Sequence, residues 1–337
     1  MQERLKKFFY KKSILITGAT GSFGSKAVEI LLKFNPDKVI IFSRDEVKQQ
    51  EMQNKFQNKK LRFFLGDVRD FERIQFALRK VDYVIHAAAL KQVPKAEYDP
   101  FEFVKTNIIG TQNVISASIN NNVKKVMFVS TDKAVSPINM YGSTKLCAER
   151  MIVSSNNIIG QDKVQFSVSR YGNVINSRGS LLPIIAQKIK KKQNLPLTHK
   201  DMTRFFITLE DGVKFTLTNF LRMQGGEIFI PKIKSYKIID ILNYFGQKNR
   251  LKIKNIGLRE GEKIHESLFN IEESKYLLSF KNFYLIQPSF LLGSNKNYKI
   301  TAMKEKGIPI KNTFFYTSEN SSNLNFKDKI LFSKFDE

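Results

Sequence analysis

The sequence predicts an α/β protein, a doubly wound parallel sheet with a smaller mixed α/β region, and three observations carry that expectation. Apolar runs at residues 14–17, 39–43, 61–66, 83–88 and 126–130 alternate with longer stretches of helical periodicity. The first run meets its helix through a turn with three glycines, Gly18, Gly21 and Gly24. After Tyr171 the rhythm dissolves into turn residues, among them Gly172, Asn173, Ser177, Gly179 and Pro183. Alternation of this kind suits a parallel sheet, because every parallel pair needs a long crossover and crossover helices cover both faces.

Taken in order, the five runs are strands, and a sixth is expected over residues 164–170. Beyond it the pattern predicts helices over 182–192, 209–222 and 237–245, and strands over 227–231 and 283–287. Residues 1–176 with parts of 200–232 are assigned to a Rossmann-like sheet domain. Residues 177–199 and 233–337 are assigned to a smaller region folded against the sheet's C-terminal edge, where open α/β sheets bind ligands. The tail beyond Thr317 is polar and is expected to be partly mobile.

The formal net charge of +25 raises the question of a polyanionic partner. The excess is spread along the chain, and only residues 151–200 are locally extreme, with eight Lys or Arg against the single acid Asp162. No nucleic-acid motif accompanies the charge, so solvated lysine-rich faces and a small anionic substrate are expected instead of nucleic acid. Cys147 is alone, and His86, His199 and His265 are scattered, so neither a disulfide nor a metal site is expected. Residues 1–12 are basic, without an apolar stretch long enough for a signal sequence or a membrane span, and the expectation is a cytosolic protein with no membrane partner.

The glycine turn is the first chemical signal. Without Cβ atoms at Gly18, Gly21 and Gly24, backbone N–H groups can approach a pyrophosphate, and the following helix N-terminus favours its charge. Thr20, Ser22 and Phe23 complete that turn. At the tip of the second strand Ser43 and Arg44 offer a hydroxyl and a guanidinium, which suit a ribose 2′-phosphate and predict NADP over NAD, with Asp45 next door. Asp67 is placed to meet the adenine, and Ala87, Ala88 and Ala89 supply small side chains where a cofactor passes close.

The second signal is Tyr141 with Lys145. Residues four apart on a helix share a face, so the ammonium is expected beside the phenol, favouring its ionised form. Asp132 and Lys133, at the end of the fifth strand, add an acid/base set that simple dehydrogenation would not require. The combination fits oxidation of a sugar hydroxyl followed by elimination.

Together these motifs, with His86–Lys91, Asn107, Arg170–Val174, Ser177–Ser180, Met202–Phe205 and Arg259–Glu266, resemble the inverting UDP-N-acetylglucosamine 4,6-dehydratases of the extended short-chain dehydrogenase/reductase superfamily. The likeness spans residues 11–316; Gln92 and Asn176 stand where the family pattern has His and Gly, and residues 318–323 match poorly. It implies a homo-oligomer acting early in bacterial nucleotide-sugar synthesis, of the kind that leads to pseudaminic acid and flagellin glycans. It further implies cofactor contacts by Glu46, Lys48, Val68, Lys91, Asn107, Tyr171, Asn173 and Val174. Substrate contacts are implied for Lys91, Thr131, Tyr141, Asn173, Arg178, Gly179, Ser180, Leu181, Thr203, Arg204, Arg259 and Glu262. In the implied chemistry Tyr141 takes the proton of the sugar 4-hydroxyl, which Thr131 holds. Lys133 takes the carbon 5 proton, which requires it to be partly neutral, and Asp132 protonates the departing 6-hydroxyl. A retaining dehydratase, a UDP-sugar 4-epimerase and a non-catalytic NADP sensor are the alternatives. Tyr141 disfavours the first, Asp132–Lys133 the second, and the intact Tyr141/Lys145 pair the third.

Overall fold

The computed structural model describes residues 1–158, 164–177, 179–290 and 296–320. Strands β1 (Ser13–Thr17), β2 (Lys38–Ser43), β3 (Leu61–Leu65), β4 (Tyr83–His86), β5 (Lys125–Thr131) and β6 (Gln165–Tyr171) lie side by side, all parallel, in the order β3-β2-β1-β4-β5-β6. Every residue of β1 is buried, as a strand covered on both faces must be. Ile14 and Ile16 point into one core with Val28, Leu31 and Phe220, while Leu15 points into the other with Val84, Val126 and Phe166. That is the period of two expressed as two cores on opposite faces.

The chain continues with β7 (Asn173–Val174), β8 (Leu195–Leu197), β9 (Thr203–Ile207), β10 (Ile228–Pro231), β11 (Ser235–Lys237) and β12 (Ile253–Asn255). It ends with β13 (Ser267–Phe269), β14 (Leu277–Ser279), β15 (Phe283–Ile286), β16 (Ile308–Pro309) and β17 (Tyr316–Thr317). β10 joins β6 in parallel, and β15, β14 and β16 follow antiparallel, making a ten-stranded sheet. Residues 277–286 and 308–309, assigned above to the smaller region, are therefore part of the large sheet. Strands of two to four residues carry too little periodicity to show their sheet.

The smaller region has a core of its own, in which Leu182, Ile185, Leu195, Phe206, Ile241 and Phe245 meet. A three-stranded sheet β11-β9-β7 connects it to the main body. Helix Gln2–Phe9, read above only for its charge, turns Leu5 and Phe9 inward. The Phe9 ring packs edge-on against Tyr83 and Phe220, and each such side chain contributes about 1.5–3 kcal/mol on burial.

One polar cluster crosses the interior. Arg170 on β6 is fully buried and forks to Glu149 of helix Met140–Ile158 through Nε at 3.0 Å and Nη2 at 2.5 Å. It also reaches Glu273 with both terminal nitrogens at 2.8 Å. Ser318 is fully buried, and no helix among the described residues is long and apolar enough to cross a membrane.

Candidate active site

The C-terminal ends of the parallel strands open into a cleft of about 920 Å³. Its wall begins at the glycine turn. Gly18 has φ +65°, and a Cβ there would lie 2.9 Å from the Ala88 backbone, so only glycine lets the two strand exits come this close. Gly21 N–H donates to Gly18 O at 3.0 Å and precedes helix Ser22–Leu32. Thr20, Ser22, Phe23 and Gly24 line the cleft beside that helix N-terminus, the arrangement a pyrophosphate requires. Ala87, Ala88 and Ala89 form the facing wall. The Thr17 hydroxyl accepts from the N–H groups of Ala87 and Ala88, at 3.1 Å each, and so donates to His86 Nδ1 at 2.7 Å. His86 Nε2 then donates to the Thr111 hydroxyl at 3.0 Å. Burial pushes His86 down to about 3, which keeps the ring neutral and this chain of bonds intact.

At the tip of β2, Ser43, Arg44, Asp45 and Lys48 line the cleft, with Asp67 and Val68 next to them. Asp45 is occupied as a helix cap, accepting from Lys48 N–H at 3.0 Å and pairing with the Lys48 ammonium. Arg44 lies 3.4 Å from Asp67 and is half exposed. Burial opposes ionisation of Asp67, but the bonds from Arg69 and the charge of Arg44 outweigh it and hold the carboxyl below its usual range.

Two expected cofactor contacts fall elsewhere. Glu46 lies off the cleft wall, in the first turn of helix Glu46–Phe56, where an acid complements the helix dipole. Asn107 is 2% exposed, and its amide is consumed by Leu90 N–H at 2.8 Å, Leu90 O at 3.0 Å and the Thr144 hydroxyl at 3.0 Å. It anchors the loop that carries Lys91 to the cleft.

The reactive end is built on the β5 exit. Thr131, Lys133, Tyr141 and Lys145 all line the one cleft. Helix Met140–Ile158 comes close because residue 142 is glycine: a Cβ there would lie 2.3 Å from Lys133 O. Asn139 Oδ1 accepts from Gly142 N–H at 2.8 Å, fixing the helix start. Burial pushes the Tyr141 phenol up to about 12, while the Lys133 charge and a bond with Thr131 work the other way. Lys145 lines the same cleft as Tyr141 and has partners of its own. Its Nζ donates to Val129 O at 2.8 Å and sits 3.8 Å above the Phe128 ring, and burial pushes it down to about 7 against the pull of Glu149.

Lys133 Nζ is ringed by Asp132 Oδ1 at 3.1 Å, Asn173 Oδ1 at 3.1 Å and Glu266 Oε1 at 3.3 Å. Burial works against the ammonium, but the charges of Asp132 and Glu266 outweigh it and raise its pKa. Lys133 is thus a cation here, where partial neutrality was expected. Asp132 is fully buried and off the cleft wall; its Oδ1 also accepts from Thr131 Oγ1 at 2.9 Å. Its reach into the cleft passes through Thr131 and Lys133, which corrects the expectation of direct contact with a departing hydroxyl.

Lys91, Asn173, Tyr171 and Val174 line the cleft, as do Gly179, Ser180 and Leu181 at the start of helix Leu181–Lys190. Burial lowers the pKa of Lys91 and raises that of Tyr171. Asn176 has φ +59°, a left-handed conformation that Asn tolerates better than most residues, so it substitutes for the expected Gly without a change of path. Arg259 and Glu262 line the cleft, as does Arg204, 3.7 Å from Glu262. Its guanidinium donates to the carbonyls of Thr203, Ile264 and Lys263 at 2.7 to 2.9 Å, so it holds the 259–266 loop in shape. Thr203 lies off the wall because its hydroxyl is shared by His265 and Ser318, at 2.8 and 2.7 Å. Arg178 lies outside the described residues. Among those described, no group of His, Cys, Asp or Glu is set to hold a metal.

Glu266 is the residue sequence reasoning missed. It is 2% exposed, lines the cleft and faces Lys133. It stands in a quoted motif, but no spacing rule links position 266 to position 133.

A glycine turn at the first βα junction, a strand order that reverses at β1, and a Tyr/Lys pair at one end of a dinucleotide-sized cleft define a Rossmann-type enzyme of the short-chain dehydrogenase/reductase kind. The chain belongs to the family described as "Polysaccharide biosynthesis protein", whose model matches residues 14–288. It is 50% identical over 316 residues to a UDP-N-acetylglucosamine 4,6-dehydratase (inverting) of Campylobacter jejuni, covering 93% of this chain and 94% of that one. It is 42% identical over 330 residues to a UDP-glucose 4-epimerase of Rickettsia akari, covering 95% and 94%. Among solved structures, Pen from Bacillus thuringiensis matches with a TM-score of 0.87 at 35% identity, covering 97% of this chain and 99% of that one. The dTDP-glucose 4,6-dehydratase DesIV from Streptomyces venezuelae shares the fold, with a TM-score of 0.68 at 21% identity over 76% of this chain and 87% of that one.

Proposed function

We propose that this chain dehydrates UDP-N-acetylglucosamine to UDP-2-acetamido-2,6-dideoxy-β-L-arabino-hex-4-ulose, inverting carbon 5 and using NADP, as an early step of bacterial glycan synthesis. The observation that carries the reading is the Lys133–Glu266 pair beside Tyr141 in one cleft, with Asp132 buried behind Lys133. Epimerisation at carbon 4 needs only the Tyr141 end. A group that exchanges a proton with carbon 5 is needed only if that carbon's hydrogen is removed.

The residues around Gly18–Gly24, Arg44 and Lys48 would hold the dinucleotide, and the cations at the β2 tip support a 2′-phosphate. When bound, the nicotinamide supplies reversible hydride acceptance. Tyr141, as the phenolate that the charge at Lys133 favours, takes the 4-hydroxyl proton. Thr131 holds that hydroxyl. A ketone at carbon 4 acidifies the carbon 5 hydrogen, which Lys133 removes; a proton then passes from Lys133 to Asp132 and through Thr131 to the departing 6-hydroxyl, which leaves as water. Lys91, Arg259 and the basic rim receive the diphosphate.

The test is incubation of the purified protein with UDP-N-acetylglucosamine, with the product followed by NMR, in parallel arms with NADP or NAD. The expected product has L-arabino configuration, and NADP is expected to bind at least ~10-fold tighter. A D-xylo product, a carbon 4 epimer or no turnover would contradict the reading, and equal use of NAD would contradict the cofactor preference.

A further inference from the structure

If Lys133 is the base at carbon 5, the ring of acceptors around it poses a problem, because an ammonium cannot take a proton. We propose that Glu266 is the acceptor that frees Lys133: the ammonium passes a proton to the Glu266 carboxylate, and the resulting amine takes the hydrogen from carbon 5. The proposal rests on the dehydratase reading and adds a residue to it.

Three oxygens surround Lys133 Nζ, and the geometry selects among them. Asn173 supplies an amide oxygen, which is too weak a base to keep a proton. Asp132 Oδ1 is already shared with the Thr131 hydroxyl, and the residue is fully buried away from the cleft. Glu266 lies 3.3 Å away. Its Oε2, like Asp132 Oδ2, is buried without a hydrogen-bond partner among the described residues, so what selects Glu266 is its place on the cleft wall, where a bound sugar covers it. A sugar covering this wall removes water from the ion pair, and in a drier site the neutral pair gains on the charged one.

The other charged groups around Lys133 are Arg204, Lys91 and Lys263, with the Tyr141 phenol beside them. These three cations favour release of the Lys133 proton. Arg204 Nε, 3.9 Å from Glu266 Oε1, is the nearest group opposing its arrival on the carboxylate. Asp132 and Glu266 raise the Lys133 pKa in the free protein, which sets the starting state of the transfer.

Glu266 is also held on both sides of its backbone. Ser318 Oγ accepts from Glu266 N–H at 2.9 Å, and Ser318 N–H donates to Glu266 O at 2.8 Å. The C-terminal segment thus fixes the distance between carboxylate and ammonium.

The protons balance. Lys133-NH3⁺ and Glu266-COO⁻ become NH2 and COOH. The amine gains the carbon 5 proton and passes one through Asp132 and Thr131 to the departing 6-hydroxyl, after which Glu266 returns its proton to the amine and the pair is back at rest. Carbon 5 regains its proton on the opposite face from a solvent-exchanging donor.

The experiment reads Lys133 directly. In ligand-free protein, acetic anhydride labelling of Lys133 across pH, followed by peptide mass spectrometry, gives the midpoint of its titration. In Glu266→Gln that midpoint is expected to fall by at least about one pH unit. Turnover of Glu266→Gln at pH 7 is expected to drop at least ~100-fold and to recover tenfold per pH unit as alkali replaces the lost acceptor. Glu266→Asp is expected to restore part of the loss. Ser318→Ala, which keeps the carboxylate, is expected to lower the labelling midpoint by less and serves if the Gln protein does not fold. An unmoved midpoint, or a loss of turnover that is flat with pH and not relieved by Asp, overturns the proposal. Labelling needs no substrate, so inactivity of the unaltered protein toward UDP-N-acetylglucosamine would count against the functional reading and leave the Lys133–Glu266 coupling to be decided by the midpoint.

Discussion

Lys133→Met is expected to lower dehydration of UDP-N-acetylglucosamine by about a thousandfold, within the range seen when a general base is removed. Methionine has similar length but cannot take a proton from carbon 5. The cofactor half of the cleft, built on Gly18–Gly24 and the β2 tip, is untouched by the change. Removing the ammonium leaves Asp132 and Glu266 buried together without their shared cation, which is expected to cost stability as well. A melting curve recorded alongside separates lost chemistry from lost folding. The check is turnover in deuterated water: undiminished dehydration with deuterium on carbon 5 would take Lys133 out of the role.

Arg170→Met is expected to destabilise the fold by about 3–5 kcal/mol, read as a fall in the urea midpoint. The guanidinium makes five bonds, four to the carboxylates of Glu149 and Glu273 and one to Leu268 O, with no exposed surface of its own. Methionine would strand two acids in the interior, on helix Met140–Ile158 and on the segment after β13. The cost comes mainly from those acids, of which Glu273 keeps only the exposed Arg150 at 3.8 Å, so adding Glu149→Gln and Glu273→Gln to Arg170→Met is expected to recover much of it. A single-variant loss below about 1 kcal/mol would mean the cluster acts no more strongly than a surface pair. Because the same helix presents Tyr141 and Lys145, turnover is expected to fall with stability.

The parts legible in the sequence are those governed by local rules. β1, β2 and β4 to β6 announce themselves because strands covered on both faces read as apolar runs, the edge strand β3 keeps an apolar run although it is only partly buried, and the expected helix over 209–222 coincides with Leu209–Arg222. The glycine turn is legible because one steric requirement, at Gly18, explains its composition. Relations between distant residues were not legible. Helical spacing puts Tyr141 and Lys145 on one face, but it does not disclose that Lys145 also donates to Val129 O on β5. Asn107 and Thr203 have side chains suited to ligands, but Leu90, His265 and Ser318 use them up. Glu266 meets Lys133 only because β13 and the β5 exit converge, a consequence of tertiary packing that no residue pattern encodes. Gly142 had a detectable signal, a glycine inside a helix start, whose reason is the approach of Lys133 O.

The central claim is that Lys133 and Tyr141 work on the same hexose ring from one cleft. The most direct measurement is a crystal structure with NADP and UDP-N-acetylglucosamine bound. The account predicts Lys133 Nζ and Tyr141 Oη within about 3.5 Å of carbon 5 and the 4-hydroxyl of one sugar. A hexose seated with either group out of reach of the ring would contradict it.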